Sequence, residues 1–188
     1  MEINEIFDTL KDVVVLLNDL GVEYMLTGSV AMSSYVAARA TMDIDVIIEI
    51  EHSNIERFEQ RFTGDYYISL ESIRRAIERH SMFNTLNFET GVKVDFITRK
   101  PSAFEAAKFN RRRLSRIGET EFWVISKEDL ILSKLWWASD SHSERQFEDV
   151  RRLIDSGADA AMINNEVEAQ GLNQVWEAYL EWKIRAKK

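Results

Sequence analysis

The sequence contains no cysteine, and proline occurs once in its 188 residues. The absence of cysteine excludes disulfide bonds and thiolate metal sites. Together with the lack of a recognisable signal peptide, it predicts a protein of the reducing cytoplasm. With 45% apolar residues, no visible disordered linker and this length, the chain can bury one sizeable core.

A long uninterrupted apolar run is also missing. Residues 13–26 come nearest to one, but four residues break the run: Asn18, Asp19, Gly21 and Glu23. A membrane span needs about 20 consecutive apolar residues. We therefore expect no membrane association through this segment, which instead reads as a helix end that leads into a strand.

Basic residues are outnumbered by acidic ones, with 24 Lys and Arg against 32 Asp and Glu, so the formal net charge is -8. Sequence-independent binding of nucleic acid depends on a basic surface, so this class of function is disfavoured. One dense basic run exists, formed by Lys108, Arg111, Arg112, Arg113 and Arg116. Two interpretations stay open: a solvated surface, or a set of contacts to the phosphates of a bound ligand or to a polyanion such as tRNA.

A glycine-serine pair marks the first candidate site. Gly28 and Ser29 follow a short apolar run at residues 22–26 and precede a predicted helix at residues 30–38. Glycine permits close backbone approach, and a serine hydroxyl at a helix N-terminus favours an anion such as a polyphosphate. The order of strand, tight turn and helix therefore predicts a phosphate site.

Two aspartates lie on the polar face of the next predicted strand, at residues 42–50. Asp43 and Asp45 alternate there with apolar residues, so both project from the same side. Their Cα atoms are about 6.6 Å apart in an extended strand, close enough to share a cation. A pair of this kind alone is weak evidence, because exposed strands and Asx turns also produce it.

A third carboxylate occurs in a second strand of the same type, at residues 91–98. Asp95 lies there opposite the apolar residues Val92, Val94 and Phe96. If this strand pairs beside the first, the three aspartates converge. Such a cluster suits Mg²⁺, and two ions about 3.5 to 4 Å apart can activate a hydroxyl and stabilise a leaving oxygen.

These residues resemble a known family. The chain resembles the polymerase-beta-like nucleotidyltransferase superfamily in one motif. This motif consists of Gly28-Ser29 and, at the same spacing, Asp43-Ile44-Asp45. The resemblance is strongest to its AbiE-type toxin and related uncharacterised branches, over the run Gly28, Ala31, Arg39, Thr41, Asp43 and Asp45. It implies an α/β (α+β) fold with a mixed sheet covered by helices. It also implies NTP as substrate, Mg²⁺ as cofactor with two ions, and transfer of NMP to a hydroxyl acceptor with release of pyrophosphate.

The resemblance also implies residue roles. Asp43, Asp45 and Asp95 would be the metal ligands and catalytic carboxylates, with Asp95 helping to activate the acceptor hydroxyl. The implied nucleotide-binding residues are Gly28, Ser29, Arg39, Thr41, Lys134 and Asp149. The chain departs from the AbiE-type pattern in two respects: a serine replaces the second glycine at position 29, and the C-terminal part is short.

Two of these residues have simpler interpretations as well. Lys134 rises from an apolar helix face, so its stem can run along that face to water. Asp149 has Arg145 and Arg152 one helical turn on either side, which is sufficient for a surface salt-bridge ladder. Both alternatives stay open at this point.

The domain organisation follows from a change of pattern at Ser126. Residues 1–125 are predicted to form the nucleotidyltransferase catalytic domain. Residues 126–188 carry helical patterns alone, begin with a capping box at Ser126 and Asp129, and are expected to form a helical part that closes the cleft. The tryptophans of this part, among them Trp136 and Trp137, are expected to pack its core.

Other functions are also considered. The fold is compatible with a catalytically silent nucleotide-binding or partner-binding module, such as one component of a toxin-antitoxin pair with a protein antitoxin as partner. A metal-dependent phosphohydrolase is disfavoured because the further His and Asp ligands common in such sites are missing. The acceptor stays open among RNA or tRNA, a small molecule and a protein.

Overall fold

A computed structural model describes residues 3–37, 41, 43–141 and 143–186 of the chain. The chain divides into two compact units, Met1–Ser34 with Ala38–Ile125, and Tyr35–Ala37 with Ser126–Lys188. The first unit contains all the described strands, and in the second unit the described elements are helices. The short segment Tyr35–Ala37 belongs to the helical unit, although the sequence pattern assigned it to the catalytic domain.

The first unit combines seven strands with five α-helices and one 3₁₀ turn among its described residues. The strands are β1 Glu23–Thr27, β2 Asp43–Glu49, β3 Tyr66–Tyr67, β4 Met82–Asn87, β5 Lys93–Thr98, β6 Arg113–Ile117 and β7 Thr120–Val124. The helices are α1 Ile3–Leu20, α2 Gly28–Met32, α3 Ile55–Phe62, α4 Leu70–Arg79 and α5 Ala103–Asn110, and the 3₁₀ turn is His52–Asn54.

The strands form one mixed sheet in the order β3-β4-β5-β2-β1-β7-β6. The pairs β2 with β5 and β1 with β7 are parallel, and the others are antiparallel. The prediction of an α/β fold with a mixed sheet is confirmed. Two antiparallel hairpins stand out, since β4 pairs with β5 and β6 pairs with β7 around Gly118.

One face of the sheet builds the apolar core of this unit. Ile44, Val46 and Ile48 of β2 are fully buried there. Phe58 of α3 lies edge-on to Phe96 of β5, with ring centroids 5.4 Å apart. Each fully buried side chain of this size stabilises the fold by about 1.5–3 kcal/mol. Because side chains alternate along a strand, burying Phe96 on this face directs Asp95 to the other face.

The second unit contains four helices among its described residues: α6 Lys127–Ser141, α7 Glu144–Asp155, α8 Ala160–Ala169 and α9 Asn173–Arg185. Helix α6 begins with the predicted capping box. The Ser126 hydroxyl accepts a hydrogen bond from the Asp129 amide at 3.2 Å and donates one to the Asp129 carboxylate at 2.6 Å. This exchange satisfies a backbone N–H that the first turn of a helix leaves unpaired.

The tryptophans of this unit are divided between core and surface. Trp176 and Trp182 contact Tyr179, which is fully buried. Trp136 and Trp137 are 52% and 57% exposed, so the expectation that they pack the core is wrong. They are adjacent in α6, and neighbouring positions on a helix point in directions about 100° apart, so apolar composition alone did not define the buried face. None of the described helices is both long enough and apolar enough to span a membrane.

Candidate active site

The parallel pairing of β2 with β5 determines the geometry of the candidate site. Asp45 is the register partner of Asp95, and Asp43 is the register partner of Lys93. Partners in a parallel ladder project from the same face, and adjacent strands are about 4.8 Å apart. The prediction that the two strands pair and bring the three aspartates onto one face is therefore confirmed.

Asp95 is the most deeply buried of the three aspartates, with 4% of its surface exposed. Its Oδ2 atom accepts a hydrogen bond from Lys93 Nζ at 2.6 Å. Its Oδ1 atom is buried and has no hydrogen-bond partner among the described residues. The hydrogen bond to Asp95 raises the pKa of Lys93, burial opposes this effect, and the charges of Asp95, Asp43 and Asp45 reinforce it.

Gly28 contacts the site through its backbone. Its φ angle is +65°, and a Cβ atom added there would lie 1.9 Å from Asp45 Oδ2. A side chain at position 28 is thus excluded twice, by the left-handed backbone and by the aspartate carboxylate. The glycine predicted for close backbone approach makes that approach to Asp45.

Ser29 follows directly and is half-buried in α2. The predicted helix at residues 30–38 is too long, because α2 ends at Met32 and the chain turns through Ser33 and Ser34, whose N–H groups bond to the carbonyls of Val30 and Ala31. Two serines and a following loop end the helix early, since serine competes for backbone hydrogen bonds. With so few turns, the helix dipole contributes little to anion binding.

Thr41 orients the first aspartate. Its hydroxyl donates to Asp43 Oδ1 at 2.9 Å and approaches the Asp43 carbonyl oxygen at 3.3 Å. This contact links the loop before β2 to the side chain of Asp43, the first residue of the strand. Arg39, predicted as a nucleotide contact, lies outside the described residues.

The donor set on this face fits a hard divalent cation by chemistry. Carboxylate oxygens are the ligands that Mg²⁺ prefers, and Asp95 Oδ1 is a buried oxygen that no described residue hydrogen-bonds. In the described parts of the chain, however, no group of three acidic, histidine or cysteine side chains is arranged to hold a metal ion. The ion pair of Lys93 with Asp95 places an ammonium group within the acidic cluster.

Lys134 and Asp149 meet each other within the helical unit. Lys134 Nζ donates to Asp149 Oδ2 at 2.7 Å, and the two side chains are 5% and 2% exposed. Gln146 Oε1 lies 3.5 Å from the same nitrogen. The interpretation that Lys134 reaches water along its stem is therefore wrong, and so is the interpretation of Asp149 as part of a surface ladder. The pair is buried and internally matched.

The basic run is divided among different environments. Lys108 is 8% exposed at its side chain and pairs with Glu105 at 2.7 Å. The Arg112 guanidinium lies over the rings of Phe109 and Trp123, 4.4 Å and 4.9 Å from the centroids. Arg113 and Arg116 are exposed on β6. The basic run therefore does not form one continuous positive surface. Its charges alone did not indicate which of its side chains are buried and which are exposed.

Sequence reasoning gave no role to Lys93. The signal was available, because Lys93 stands two residues before Asp95 in a strand and must share its face. A lysine at this spacing is the natural counter-ion of a carboxylate that has two others beside it.

Comparison with known proteins identifies relatives of the chain. The family model described as "Nucleotidyl transferase AbiEii toxin, Type IV TA system" matches residues 15–186. No curated relative matches the chain.

Solved nucleotidyltransferases share the fold at low sequence identity. The antibiotic-resistance factor ANT(2'')-Ia has a TM-score of 0.55 and 13% identity, covering 100% of this chain and 97% of its own. An antigenic nucleotidyltransferase-like protein from Paracoccidioides brasiliensis has a TM-score of 0.52 and 16% identity, covering 83% of this chain and 77% of its own. The lincosamide antibiotic adenylyltransferase LnuA has a TM-score of 0.50 and 15% identity, covering 81% of this chain and 96% of its own.

Proposed function

Because this chain belongs to the AbiEii nucleotidyltransferase toxin family, within the polymerase-beta-like nucleotidyltransferase superfamily, we propose that it transfers a nucleoside monophosphate from an NTP to a hydroxyl acceptor. The observation that carries the proposal is the register of Asp45 with Asp95, which brings the three carboxylates onto one face of the sheet. Retention of all three carboxylates on one face supports an active enzyme.

The proposed reaction uses all three carboxylates. The acceptor oxygen attacks the α-phosphorus and forms the new P–O bond, its proton passes to the Asp95 carboxylate, and the bond to the β-phosphate breaks to release pyrophosphate. Asp43 and Asp45, with Asp95, would hold Mg²⁺. When bound, Mg²⁺ supplies positive charge that offsets the charge on the triphosphate and on the leaving group. The protein contributes mainly positioning and electrostatic stabilisation.

The nucleotide is assigned to the glycine-serine corner. Ser29 contacts the triphosphate, Gly28 allows close approach, and Thr41 holds the Asp43 carboxylate in place. The role predicted for Arg39 stays a prediction. Lys134 and Asp149 are left out of this proposal, because their mutual burial favours a structural role.

The partners follow from the family. We propose a protein antitoxin as partner and a cytoplasmic location, which the absence of cysteine favours. The acceptor is RNA, a small molecule or a protein, and the transfer assay distinguishes the three.

The test is transfer of label from each of the four α-³²P NTPs in a cell extract that is afterwards separated into RNA, small-molecule and protein fractions. We expect the wild type with Mg²⁺ to label one fraction, and Asp45→Asn to lower the rate by about 10²-fold or more. Asp8→Asn, the same chemical change at an exposed position of α1, should keep the wild-type rate. Equal labelling by the wild type and Asp45→Asn would reject the assignment of the site.

A second candidate is a catalytically silent module that binds nucleotide or a partner protein. The ion pair of Lys93 with Asp95 favours it, because this pair neutralises part of the acidic cluster without metal. Binding of NTP without pyrophosphate release, with every acceptor fraction supplied, would support this module over the enzyme.

A further inference from the structure

We propose that Lys93 is a resident counter-ion of the acidic cluster, which a divalent cation must displace before the site becomes competent. The inference rests on the proposed function, since it concerns how the same site acquires its metal. It assigns to this lysine a role in setting metal affinity.

The two partners of the pair differ in how firmly they are held. The Lys93 side chain is 43% exposed, whereas that of Asp95 is 6% exposed. A lysine ammonium on a flexible four-carbon stem is strongly hydrated and can move into water. The carboxylate cannot move in this way, because Phe96 beside it is fully buried. Breaking the pair therefore moves the lysine and leaves the ligand in position.

The surrounding charges make a cation necessary at this place. Asp43 and Asp45 share the face of β2, and Asp95 stands in register with Asp45 on the adjacent strand. Carboxylates this close repel one another unless a positive charge lies between them. Lys93 supplies one such charge, at the register position opposite Asp43. A divalent cation supplies two and is itself repelled by the ammonium, so the two compete.

The two oxygens of Asp95 explain why the lysine has to leave. Lys93 engages Oδ2 of Asp95, while Oδ1 is buried and makes no hydrogen bond within the described part of the chain. The carboxylate would therefore become open to a cation only once the Lys93 ammonium moves into water.

The test measures binding of Mn²⁺ alone by electron paramagnetic resonance, together with the melting temperature without metal. Three variants are compared with the wild type: Lys93→Met, Lys93→Arg and Lys11→Met. We expect Lys93→Met to bind Mn²⁺ about fivefold more tightly, because the competing charge is gone. Its metal-free melting temperature should fall, and saturating Mn²⁺ should raise it by more than it raises that of the wild type.

The other two variants serve as controls. Lys93→Arg keeps the charge and should retain the wild-type Mn²⁺ affinity. Lys11→Met removes the same charge from an exposed position on α1 and should leave both readouts unchanged. The difference between Lys93→Met and wild type should shrink in about 1 M KCl, where charges are screened within about 3 Å.

The outcomes separate the two proposals. Unchanged or weaker Mn²⁺ binding by Lys93→Met, with normal binding by the wild type, would overturn the role of Lys93 and leave the proposed function standing. Binding by Lys93→Met alone would support the counter-ion most strongly. Binding by neither protein would overturn the metal-dependent function, and the role of Lys93 with it.

Discussion

Two of the lysine-aspartate pairs among the described residues have almost the same short N–O distance but lie in different settings. Lys134 and Asp149 are sealed within the helical unit, at 5% and 2% exposure, with an N–O distance of 2.7 Å. Lys93 and Asp95 meet at 2.6 Å on the sheet, where the lysine is 43% exposed. The bond lengths hardly differ, so distance does not distinguish their roles.

Burial distinguishes them. A pair buried on both sides cannot exchange its partner without exposing a charge to an apolar interior, which costs several kcal/mol per ion. A pair with one partner in contact with water opens at a lower cost, because the ammonium moves into water and only the carboxylate is left in a buried place. The helical pair is therefore a structural element, and the sheet pair is one that a ligand can open.

Replacing Lys134 provides the largest test of this contrast. Lys134→Met leaves the buried Asp149 carboxylate without its cation, and we expect the free energy of unfolding to fall by about 3–5 kcal/mol. Urea denaturation followed by circular dichroism measures the change. The double variant Lys134→Met/Asp149→Leu removes both charges and should recover most of the loss. A cost below about 1 kcal/mol for the single variant would show that the two pairs are alike.

Gly28 sharpens the contrast, because its backbone lies directly against the Asp45 carboxylate of the cluster. Gly28→Ala places a Cβ against Asp45 at a φ of +65°, whereas Gly118→Ala meets nothing within 4 Å at a φ of +59°. We expect Gly118→Ala to lower the free energy of unfolding by about 1–2 kcal/mol, the cost of a left-handed alanine, and Gly28→Ala to lower it by more, because Asp45 must also move.

Activity should separate these matched glycine variants. Gly28→Ala displaces the Asp45 carboxylate and should nearly abolish nucleotidyl transfer, and Gly118→Ala should retain it. Similar transfer rates for the two variants would show that Asp45 tolerates displacement and that this flank is open.

The exposed pair of Arg99 with Glu49 gives the smallest expected effect. The hydrogen bond from Arg99 lowers the pKa of Glu49 from its ordinary value, and partial burial opposes this. A lowered folded-state pKa adds stability above the unfolded-state value of about 4.3, and that stability is lost as the pH falls through the folded-state pKa.

Glu49→Gln should consequently be less stable than the wild type at pH 7 by less than about 1 kcal/mol, because the Glu49 side chain is 46% exposed and its charge is screened by water. The gap should close as the pH falls below about 4. Urea denaturation at a series of pH values measures it, and a gap that widens in acid would reverse the assigned sign.

The faces of the central strands could be predicted from the sequence, but the partners of several charges could not. Alternation with a period of two assigned Asp43, Asp45 and Asp95 to polar faces, and this holds in the sheet. The ion pair of Lys134 with Asp149 connects α6 with α7. It depends on how the two helices pack, and the periodicity within each helix does not specify that packing. Strand β3 has two residues and is too short to show any alternation.

The parallel contact between β2 and β5 also has a consequence for how the protein is made. Asp45 and Asp95 are neighbours in the sheet, although two α-helices and two strands separate them along the chain. Such a non-local pairing forms only after the entropy of closing the intervening loop has been lost. A nascent chain that has not yet emerged from the ribosome past Thr98 therefore has no assembled acidic cluster, whatever its earlier helices have already formed.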